Sequence, residues 1–290
     1  MPVNDELGKR MKEYYESIPK TKLMRRTPVA IRIDGKAFHT FTRGFKRPFD
    51  EILIKSMQET MKYLCENIQG CVLGYTQSDE ITLILVDYKN LNSAAWFDYE
   101  VQKMCSIAAS MATMAFNRAF SNNIYALMGY FHDGEDLDFH IAKSEYGLTD
   151  EELMNIKSDF WEKRWISYQE RMGTAMFDAR VFNIPKEEVT NLIYWRQLDA
   201  TRNSIQMVGQ ANFSHKELQN KSCSQIQDML MTERGINWND FPTYQKRGSC
   251  CVKETYEIDA EQFRTRWVID KEIPIFKNEG RDYIEKLIEF

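Results

Sequence analysis

The sequence predicts an α+β fold in which helices pack on one face of an antiparallel sheet. Three observations predict it. The segment PVAIRID alternates between apolar and polar side chains, the apolar runs CVLGYT and ITLILV flank the polar turn Gln77-Ser78-Asp79-Glu80, and apolar residues recur at helical spacing around these strands. The order strand–helix–strand–turn–strand–helix is that of split βαβ and ferredoxin-like domains.

The first half of the chain supplies most of these elements. Residues 5–18 are predicted to form a helix that Pro19 ends. In the first strand one face is apolar and the other polar: Val29, Ile31 and Ile33 against Arg32 and Asp34. Helices are predicted over 49–68 and 94–120, where apolar and small side chains share one face and pack on the sheet.

The second half begins with a segment of different composition. Residues 131–173 hold 5 Lys+Arg and 11 Asp+Glu, a net charge of 5 − 11 = −6, and predict an inserted acidic helical lobe with an exposed amphipathic helix. Beyond it we expect these elements: a strand in FDARVFNI, a helix opened by Pro185, helices near 214–234 and 278–290, and strands near 249–257 and 266–270. The predicted organisation is a core in 1–130, the lobe in 131–173, and the rest of the core with a helical C-terminal part in 174–290.

Composition excludes several classes of protein. The chain of 290 residues is 43% hydrophobic and 28% charged, as expected for a globular protein. No apolar run reaches the ~18–20 residues that cross a bilayer, and the polar N-terminus has no signal-peptide core, so a cytoplasmic protein without membrane segments is expected. Its six cysteines form no C-x-x-C pair, which favours reduced thiols. The net charge of −5 indicates no global basic field for nucleic acid, although positive charge can be local.

Two acidic positions carry the chemical signal. Asp34 ends the first strand, and Asp79-Glu80 lies in the turn of the hairpin, so pairing of the strands would place Asp34 beside Asp79. Two close carboxylates repel unless a cation lies between them or one is protonated. Mg²⁺ is usually held by one or two carboxylates and substrate phosphates, and two such ions can serve phosphoryl transfer. The alternative is that both aspartates are ordinary turn residues.

The loop after Asp34 favours a phosphate ligand. Its amides, from Gly35, Lys36, Ala37, Phe38 and His39, could hold a triphosphate, although the G-K-[ST] of a P-loop is missing. Arg43, Lys46 and Arg47 add cations, or form a solvated charge cluster. Phe38 and Phe41 could stack on a base or pack in the core, and His39 could contact a phosphate or be half-buried.

Several separated motifs together resemble the tRNA(His) guanylyltransferase family and its bacterial and archaeal guanylyltransferase-like relatives. The motifs are RIDGKAFHTFTRGFKRPFD, GYTQSDE, FDAR (177–180), YWRQLDATRNSI (194–205) and YQKRG (244–248). The resemblance implies a polymerase palm that adds nucleotides in the 3′→5′ direction to a tRNA 5′ end, after ATP or GTP has activated the 5′-monophosphate. It also implies two Mg²⁺ ions and a homotetramer.

The resemblance assigns roles to individual residues. Asp34 and Asp79 match the two metal-binding, catalytic carboxylates, Gly35 contributes its carbonyl to a metal, and Glu80 matches the acidic catalytic neighbour. Residues 35–39 and Ser78 match nucleotide-binding positions. The family has a lysine immediately before the proline that matches Pro48, where this chain has Arg47 with Lys46 beside it.

One departure bears on the substrate. Where eukaryotic relatives carry H-I-N-N-L-Y-N, this chain has TRNSIQM, with Thr201 at the position of the histidine and Asn203 retained. The departure favours templated repair of truncated tRNA 5′ ends over addition of the extra guanosine to tRNA(His). Candidate tRNA contacts are Arg25, Arg26, Arg43, Arg196, Arg202, Asn203, Lys246 and Arg247. Two other hypotheses stay open, a palm-type nucleotide cyclase and a non-catalytic RNA-binding protein.

Overall fold

A computed structural model describes residues 5–132, 164–259 and 262–289 of the chain. The helices are α1 (Glu6–Met11, continued by a π-helical segment, Lys12–Glu16), α2 (Phe38–Phe41), α3 (Glu51–Asn67), α4 (Val101–His132), α5 (Trp165–Arg171), α6 (Val189–Asn212), α7 (His215–Leu218), α8 (Cys223–Arg234), α9 (Thr243–Arg247) and α10 (Asp282–Ile288). The strands are β1 (Val29–Gly35), β2 (Cys71–Gln77), β3 (Glu80–Leu85), β4 (Phe177–Asn183), β5 (Ser249–Asp259) and β6 (Gln262–Asp270).

The strands form one six-stranded sheet in the order β4-β1-β3-β2-β5-β6. Every neighbouring pair is antiparallel. The chain order β1-α3-β2-β3-α4-β4 gives the βαββαβ core of ferredoxin-like domains, and β5 and β6 extend it beside β2. The predicted α+β class with an antiparallel sheet and packed helices is therefore confirmed.

The prediction that helices cover only one face of the sheet is wrong. On one face α3 and α4 bury the apolar side of β1, including Val29, Ile31 and Ile33. On the other face Ala30 of β1 and Ile84 of β3 pack with side chains of α6 and α10. All six residues of β3 are buried, and such a continuous apolar run is the pattern of a strand covered on both faces.

Other predicted elements are present with different bounds. The helix predicted over 94–120 begins at Val101 and extends to His132. The helical stretch predicted near 214–234 is two helices, each opened by a capping box, at Ser214 and at Ser222. The strands predicted near 249–257 and 266–270 are longer and meet in a hairpin of nine Cα pairs.

Most of the predicted acidic lobe, residues 133–163, lies outside the described residues. Its described end, α5, is amphipathic: Ile166 and Glu170 are exposed, whereas Tyr168 is buried against Phe45 and Phe120. The tyrosine hydroxyl also donates a 2.6 Å hydrogen bond to Asp50 at the start of α3. The domain bounds 1–130, 131–173 and 174–290 stay a prediction.

Among the described helices, none combines the length and apolar character needed to span a bilayer. All six cysteines are free thiols. The cytoplasmic location stays a prediction.

Candidate active site

The two predicted aspartates come together where β1 ends beside the hairpin turn. Asp34 pairs with Glu80 in the β1–β3 register, which places Asp79 next to it. The backbone N–H of Gly35 donates a 3.0 Å hydrogen bond to the carbonyl of Asp79 and ties the end of β1 to the turn. Asp34 lies on the polar face of β1 with Arg32, because successive side chains of a strand point to opposite faces.

The turn itself fixes the second aspartate. Ser78 has a φ of +50°, a left-handed conformation that is uncommon for residues other than glycine. Its hydroxyl donates a 3.0 Å hydrogen bond to Oδ1 of Asp79. Ser78, which the sequence predicts to bind nucleotide, thus directly contacts one of the two proposed metal ligands.

Both aspartates are held in an environment that disfavours their negative charge. Partial burial raises the pKa of Asp34, and the carboxylates of Glu80 and Asp178 raise it further, against the smaller effects of Arg180 and Arg32. Burial is also the largest cause that raises the pKa of Asp79; Asp34 and Glu80 add to it, while hydrogen bonds from its own backbone and from Ser78 oppose it. Bringing a cation near both would relieve this penalty.

The donor set fits Mg²⁺ bound in part by substrate. Within the described ranges, no three His, Cys, Asp or Glu side chains are grouped to hold a metal on their own. Two half-buried carboxylates at a strand end suit Mg²⁺, which takes oxygen ligands and commonly completes its shell with substrate phosphates and water.

The raised pKa values predict that Asp34→Asn and Asp79→Asn stabilise the metal-free protein near pH 7. An aspartate with a raised folded-state pKa destabilises the fold at pH values above that pKa, and this penalty disappears as the pH falls below the ordinary value near 3.9. We expect each variant to raise the melting temperature by a few degrees at pH 7 in EDTA, with the gain shrinking toward pH 4. Mg²⁺ should stabilise the wild type more than either variant. Lower melting temperatures for both variants in EDTA would contradict the prediction.

Glu80, predicted to be catalytic, is buried between two arginines. Its Oε2 accepts a 2.8 Å hydrogen bond from Nη2 of Arg32, and its Oε1 accepts a 2.6 Å bond from Nε of Arg196. Arg196 also binds Asp199, at 3.1 Å. Glu80 therefore joins β1, β3 and α6 in one network, which suits a residue that positions Asp34 and Asp79.

The loop at 35–39 offers amides to a ligand, but fewer than the sequence predicts. Gly35 and Lys36 donate their backbone N–H groups to Asp79 and Met176. The amides of Ala37, Phe38 and His39, at the start of α2, have no backbone acceptor within the described chain. Ala37 has a left-handed φ of +55°, and the side chains of Lys36 and His39 are exposed.

Phe38 does not offer its ring to a nucleotide base. It is 4% exposed, and its ring lies 4.8 Å from that of Phe41 and 5.2 Å from that of Phe177, between centroids. The ring also covers Gly35, where an added Cβ would lie 2.3 Å from it. Both phenylalanines of the loop pack in the core, so only the Phe38 amide remains available for nucleotide.

The three cations that follow the loop differ in exposure. Arg43 and Arg47 are exposed, whereas Lys46 is half-buried and donates its backbone N–H to Asp50 at 2.9 Å. Arg47 lines a cavity of about 600 Å³ with His215, Lys221 and carboxamide side chains of α6. Of the two cations before Pro48, Arg47 is therefore the more accessible to a ligand.

Two predicted tRNA contacts are buried. Arg196 is 7% exposed and bound to two carboxylates, and Lys246 is 8% exposed with its Nζ donating to the carbonyl of Asn239. Neither can present its charge to RNA without breaking these bonds, so we leave both out of the proposed RNA surface. Burial also lowers the pKa of Lys246.

The other predicted tRNA contacts are at least partly accessible. Arg202 is exposed and pairs with Asp199, which also accepts a 3.3 Å bond from Asn203. Asn203 and Ser78 line one cleft, between α6 and the hairpin turn. Arg247 is half-buried. Arg25 and Arg26 are exposed, but both bind the loop after β3.

Sequence reasoning missed three features of the site. Asp178 of β4 lies opposite Asp34. It belongs to the FDAR segment, which could have indicated its place in the site. Arg32, on the same face of β1 as Asp34, has a buried Nε without a hydrogen-bond partner in the described part of the chain. Asp50 caps α3 through Leu53 and accepts the hydroxyl of Tyr168. The contact between Asp50 and Tyr168 joins two residues that are distant in the sequence, so no local pattern predicts it.

A βαββαβ sheet with two adjacent aspartates at a strand end and the neighbouring turn is the arrangement expected of a palm-type nucleotidyltransferase. The model of the family described as tRNAHis guanylyltransferase matches residues 8–185. The tRNA(His) guanylyltransferase of Saccharomyces cerevisiae is 25% identical over 240 residues, which are 78% of this chain and 82% of the relative. An uncharacterised protein of Acanthamoeba polyphaga mimivirus is 27% identical over 272 residues, 89% of this chain and 80% of the relative.

Solved structures extend the comparison to nearly the whole chain. A bacterial tRNA(His) guanylyltransferase-like protein in complex with ATP matches with a TM-score of 0.74 and 38% identity, covering 98% of this chain and 99% of the other. A bacterial protein of the same description in complex with GTP matches with a TM-score of 0.69 and 36% identity, covering 99% and 100%. The chain belongs to the tRNA(His) guanylyltransferase family, which is a family of nucleotidyltransferases.

Proposed function

We propose that this protein adds nucleotides in the 3′→5′ direction to the 5′ end of tRNA, after activating a 5′-monophosphate with ATP or GTP. The observation that carries the proposal is that Asp34, at the end of β1, lies beside Asp79 of the hairpin turn, next to a loop with available amides. The solved relatives whose descriptions name ATP and GTP support a nucleoside triphosphate as ligand.

Both steps displace a leaving group from phosphorus, but activation forms a phosphoanhydride and transfer forms a phosphodiester. In activation, a 5′-phosphate oxygen of the RNA attacks the α-phosphorus of the triphosphate, and pyrophosphate leaves. In transfer, the 3′-hydroxyl of an incoming nucleoside triphosphate attacks the activated 5′-phosphate, and the nucleoside monophosphate leaves. Catalysis of such steps consists mostly of positioning and charge stabilisation.

The chain has residues for both tasks. Asp34 and Asp79, with the carbonyl of Gly35, would hold two Mg²⁺ ions. Bound Mg²⁺ supplies charge neutralisation of phosphate oxygens and favours the attacking oxygen as a nucleophile. The amides at 37–39 and the exposed cation of Arg47 would bind phosphate oxygens, and Ser78 would orient Asp79.

One residue, Thr201 of α6, supports tRNA repair over a reaction restricted to tRNA(His). Thr201 of α6 donates its hydroxyl to the carbonyl of Gln197 at 2.9 Å, so its side chain is engaged within its own helix. A threonine at this position cannot provide the imidazole that eukaryotic relatives have there. We therefore propose templated addition to tRNAs that lack their first 5′ nucleotides, with an oligomer, expected to be a tetramer, as the working form.

The test is incubation with Mg²⁺, ATP, all four nucleoside triphosphates and 5′-monophosphorylated tRNAs that lack the first residue, followed by 5′-end sequencing. We expect pyrophosphate release that depends on the RNA, and restoration of the templated nucleotide in several tRNA species. Restoration confined to tRNA(His), or addition of guanosine irrespective of the template, would contradict the repair proposal and leave the nucleotidyltransferase proposal standing.

Two results would replace the proposal altogether. Formation of a cyclic nucleotide from ATP or GTP without RNA would identify a nucleotide cyclase. Binding of tRNA that is unchanged in EDTA, with no turnover under any condition, would identify an RNA-binding protein without catalysis.

A further inference from the structure

A second cavity, of about 450 Å³, lies at the end of the sheet opposite the hairpin turn. Three lysines from three separate elements line it: Lys89 after β3, Lys253 of β5 and Lys286 of α10. The remaining walls are in part polar, from Gln69, Asn90, Ser93, Thr255 and Thr265, and in part apolar, from Cys71, Val72, Val86, Ala94 and Leu287. No carboxylate is among its described lining residues. We call this cavity the lysine cleft, and its composition is that of an anion site.

Two of the three lysines, Lys253 and Lys286, are not paired with carboxylates in the described part of the chain. The acidic residues next to these two lysines in sequence bind arginines instead: Glu254 binds Arg266 at 2.9 Å and Glu285 binds Arg281 at 2.8 Å. Lys253 and Lys286 form no ion pair within the described part of the chain. Their ammonium groups lie over aromatic rings, 5.1 Å from Trp267 and 5.4 Å from Tyr283. The positive charges of Lys253 and Lys286 are therefore available to a negatively charged ligand.

Hydrogen bonds fix the walls of the lysine cleft in place. The guanidinium of Arg26 donates to the carbonyls of Asp87 and Asn90, each at 3.1 Å, and so holds the loop that carries Lys89. The hydroxyl of Tyr88 donates to the carbonyl of Ile288 at 3.0 Å and ties that loop to α10. The basic segment that the sequence predicts to contact tRNA directly thus serves to shape this cleft. Because these residues are already ordered before a ligand binds, binding loses less conformational entropy.

The distance to the catalytic aspartates indicates the size of the ligand. β2 runs from the lysine cleft to the turn, and its length of seven residues corresponds to roughly 20 Å at ~3.3 Å per residue. A mononucleotide bound to Asp34 and Asp79 cannot extend over this distance, whereas a polynucleotide can. Lysine, hydroxyl and carboxamide groups are common partners of backbone phosphates and carry no base specificity.

We propose that the lysine cleft binds backbone phosphates of the RNA substrate, as a second contact about 20 Å from the reacting 5′ end. The inference rests on the proposed function, because it takes RNA as the substrate. Such a contact would orient the RNA independently of its sequence, as a repair enzyme acting on many tRNAs needs.

The test compares the double variant Lys253→Gln/Lys286→Gln with the wild type in binding of 5′-monophosphorylated tRNA at several salt concentrations. Loss of two phosphate contacts should weaken binding on the order of tenfold at 0.15 M salt and reduce the log–log salt slope by about 1.5. The KM for tRNA should rise with kcat retained, because neither lysine touches the reacting groups. The double variant Lys103→Gln/Lys277→Gln is the control; it removes the same charge, and Lys103 likewise lies over a ring, 4.6 Å from Phe97. Matching melting temperatures would show that both variants are folded.

Three results would overturn the inference. The first is an affinity and a salt slope that are no more affected than in the control pair. The second is loss of ATP or inorganic triphosphate binding with unchanged RNA affinity, which would make the cleft a site for free phosphate compounds. The third is a wild-type protein that binds no RNA at any salt, which would overturn the proposed function as well. If the wild type binds RNA without extending it, the proposed function alone fails, since affinity and slope still test the cleft.

Discussion

Asp34→Asn and Asp79→Asn are each expected to lower the rate of nucleotide addition at least ~10³-fold. Asparagine keeps the size of the side chain but removes the charge that would hold Mg²⁺, and losing one preorganised electrostatic contact to a transition state commonly costs ~10²–10³-fold. Pyrophosphate release and 5′-extension of tRNA should fall together, because both steps use the same pair of aspartates. Single-turnover assays with saturating ATP and tRNA would measure both.

The matched control is Asp228→Asn, which removes the same charge from an exposed position on α8. It should leave both steps within about twofold of the wild type, since exposed charges far from a site contribute little. Circular dichroism must show that the three variants are folded. Retention of more than a tenth of the wild-type rate by either site variant would refute the assignment of the aspartates.

Arg196→Met is expected to lower the free energy of unfolding by about 3–5 kcal/mol, the usual cost of removing one partner of a buried ion pair. The arginine side chain is 8% exposed and contacts Glu80 and Asp199, so its loss leaves two carboxylates with fewer partners in a buried setting. Urea denaturation at pH 7 would measure the change. Nucleotide addition should also fall, because Glu80 lies beside both aspartates.

Arg202→Met provides the comparison on the same helix. Arg202 also pairs with Asp199, but its side chain is 62% exposed, and pairs of that kind contribute at most about 1 kcal/mol. Equal and small effects of the two substitutions would show that the Glu80 network does not stabilise the fold.

Three features could be predicted from the sequence because they depend on local periodicity: the strand β1, the hairpin, and the position of Asp34 beside the hairpin turn. Alternation of Val29, Ile31 and Ile33 with Arg32 and Asp34 defined the two faces of β1, and the polar turn between two apolar runs defined the hairpin. Once β1 pairs with β3, the register places Asp34 and Asp79 side by side without further information.

What could not be predicted depends on contacts between distant segments. Arg196 and Lys246 have the sequence appearance of surface cations, but their burial is set by Glu80, Asp199 and Asn239, which only the fold brings near. The ring of Phe38 could equally have faced a ligand, and the decision depends on Phe177, which follows the acidic insertion. The second covered face of the sheet arises from α6 and α10, whose partners lie about a hundred residues or more away.

The Glu80 network also has a geometric consequence. Through Arg32 and Arg196 it links β1 and β3, whose ends lie at Asp34 and beside Asp79, to α6, which carries Arg202 and Asn203. These links are buried, so the spacing between α6 and the strand ends is a fixed dimension of the protein. A tRNA held against α6 would present its 5′ end at a set offset from Asp34 and Asp79.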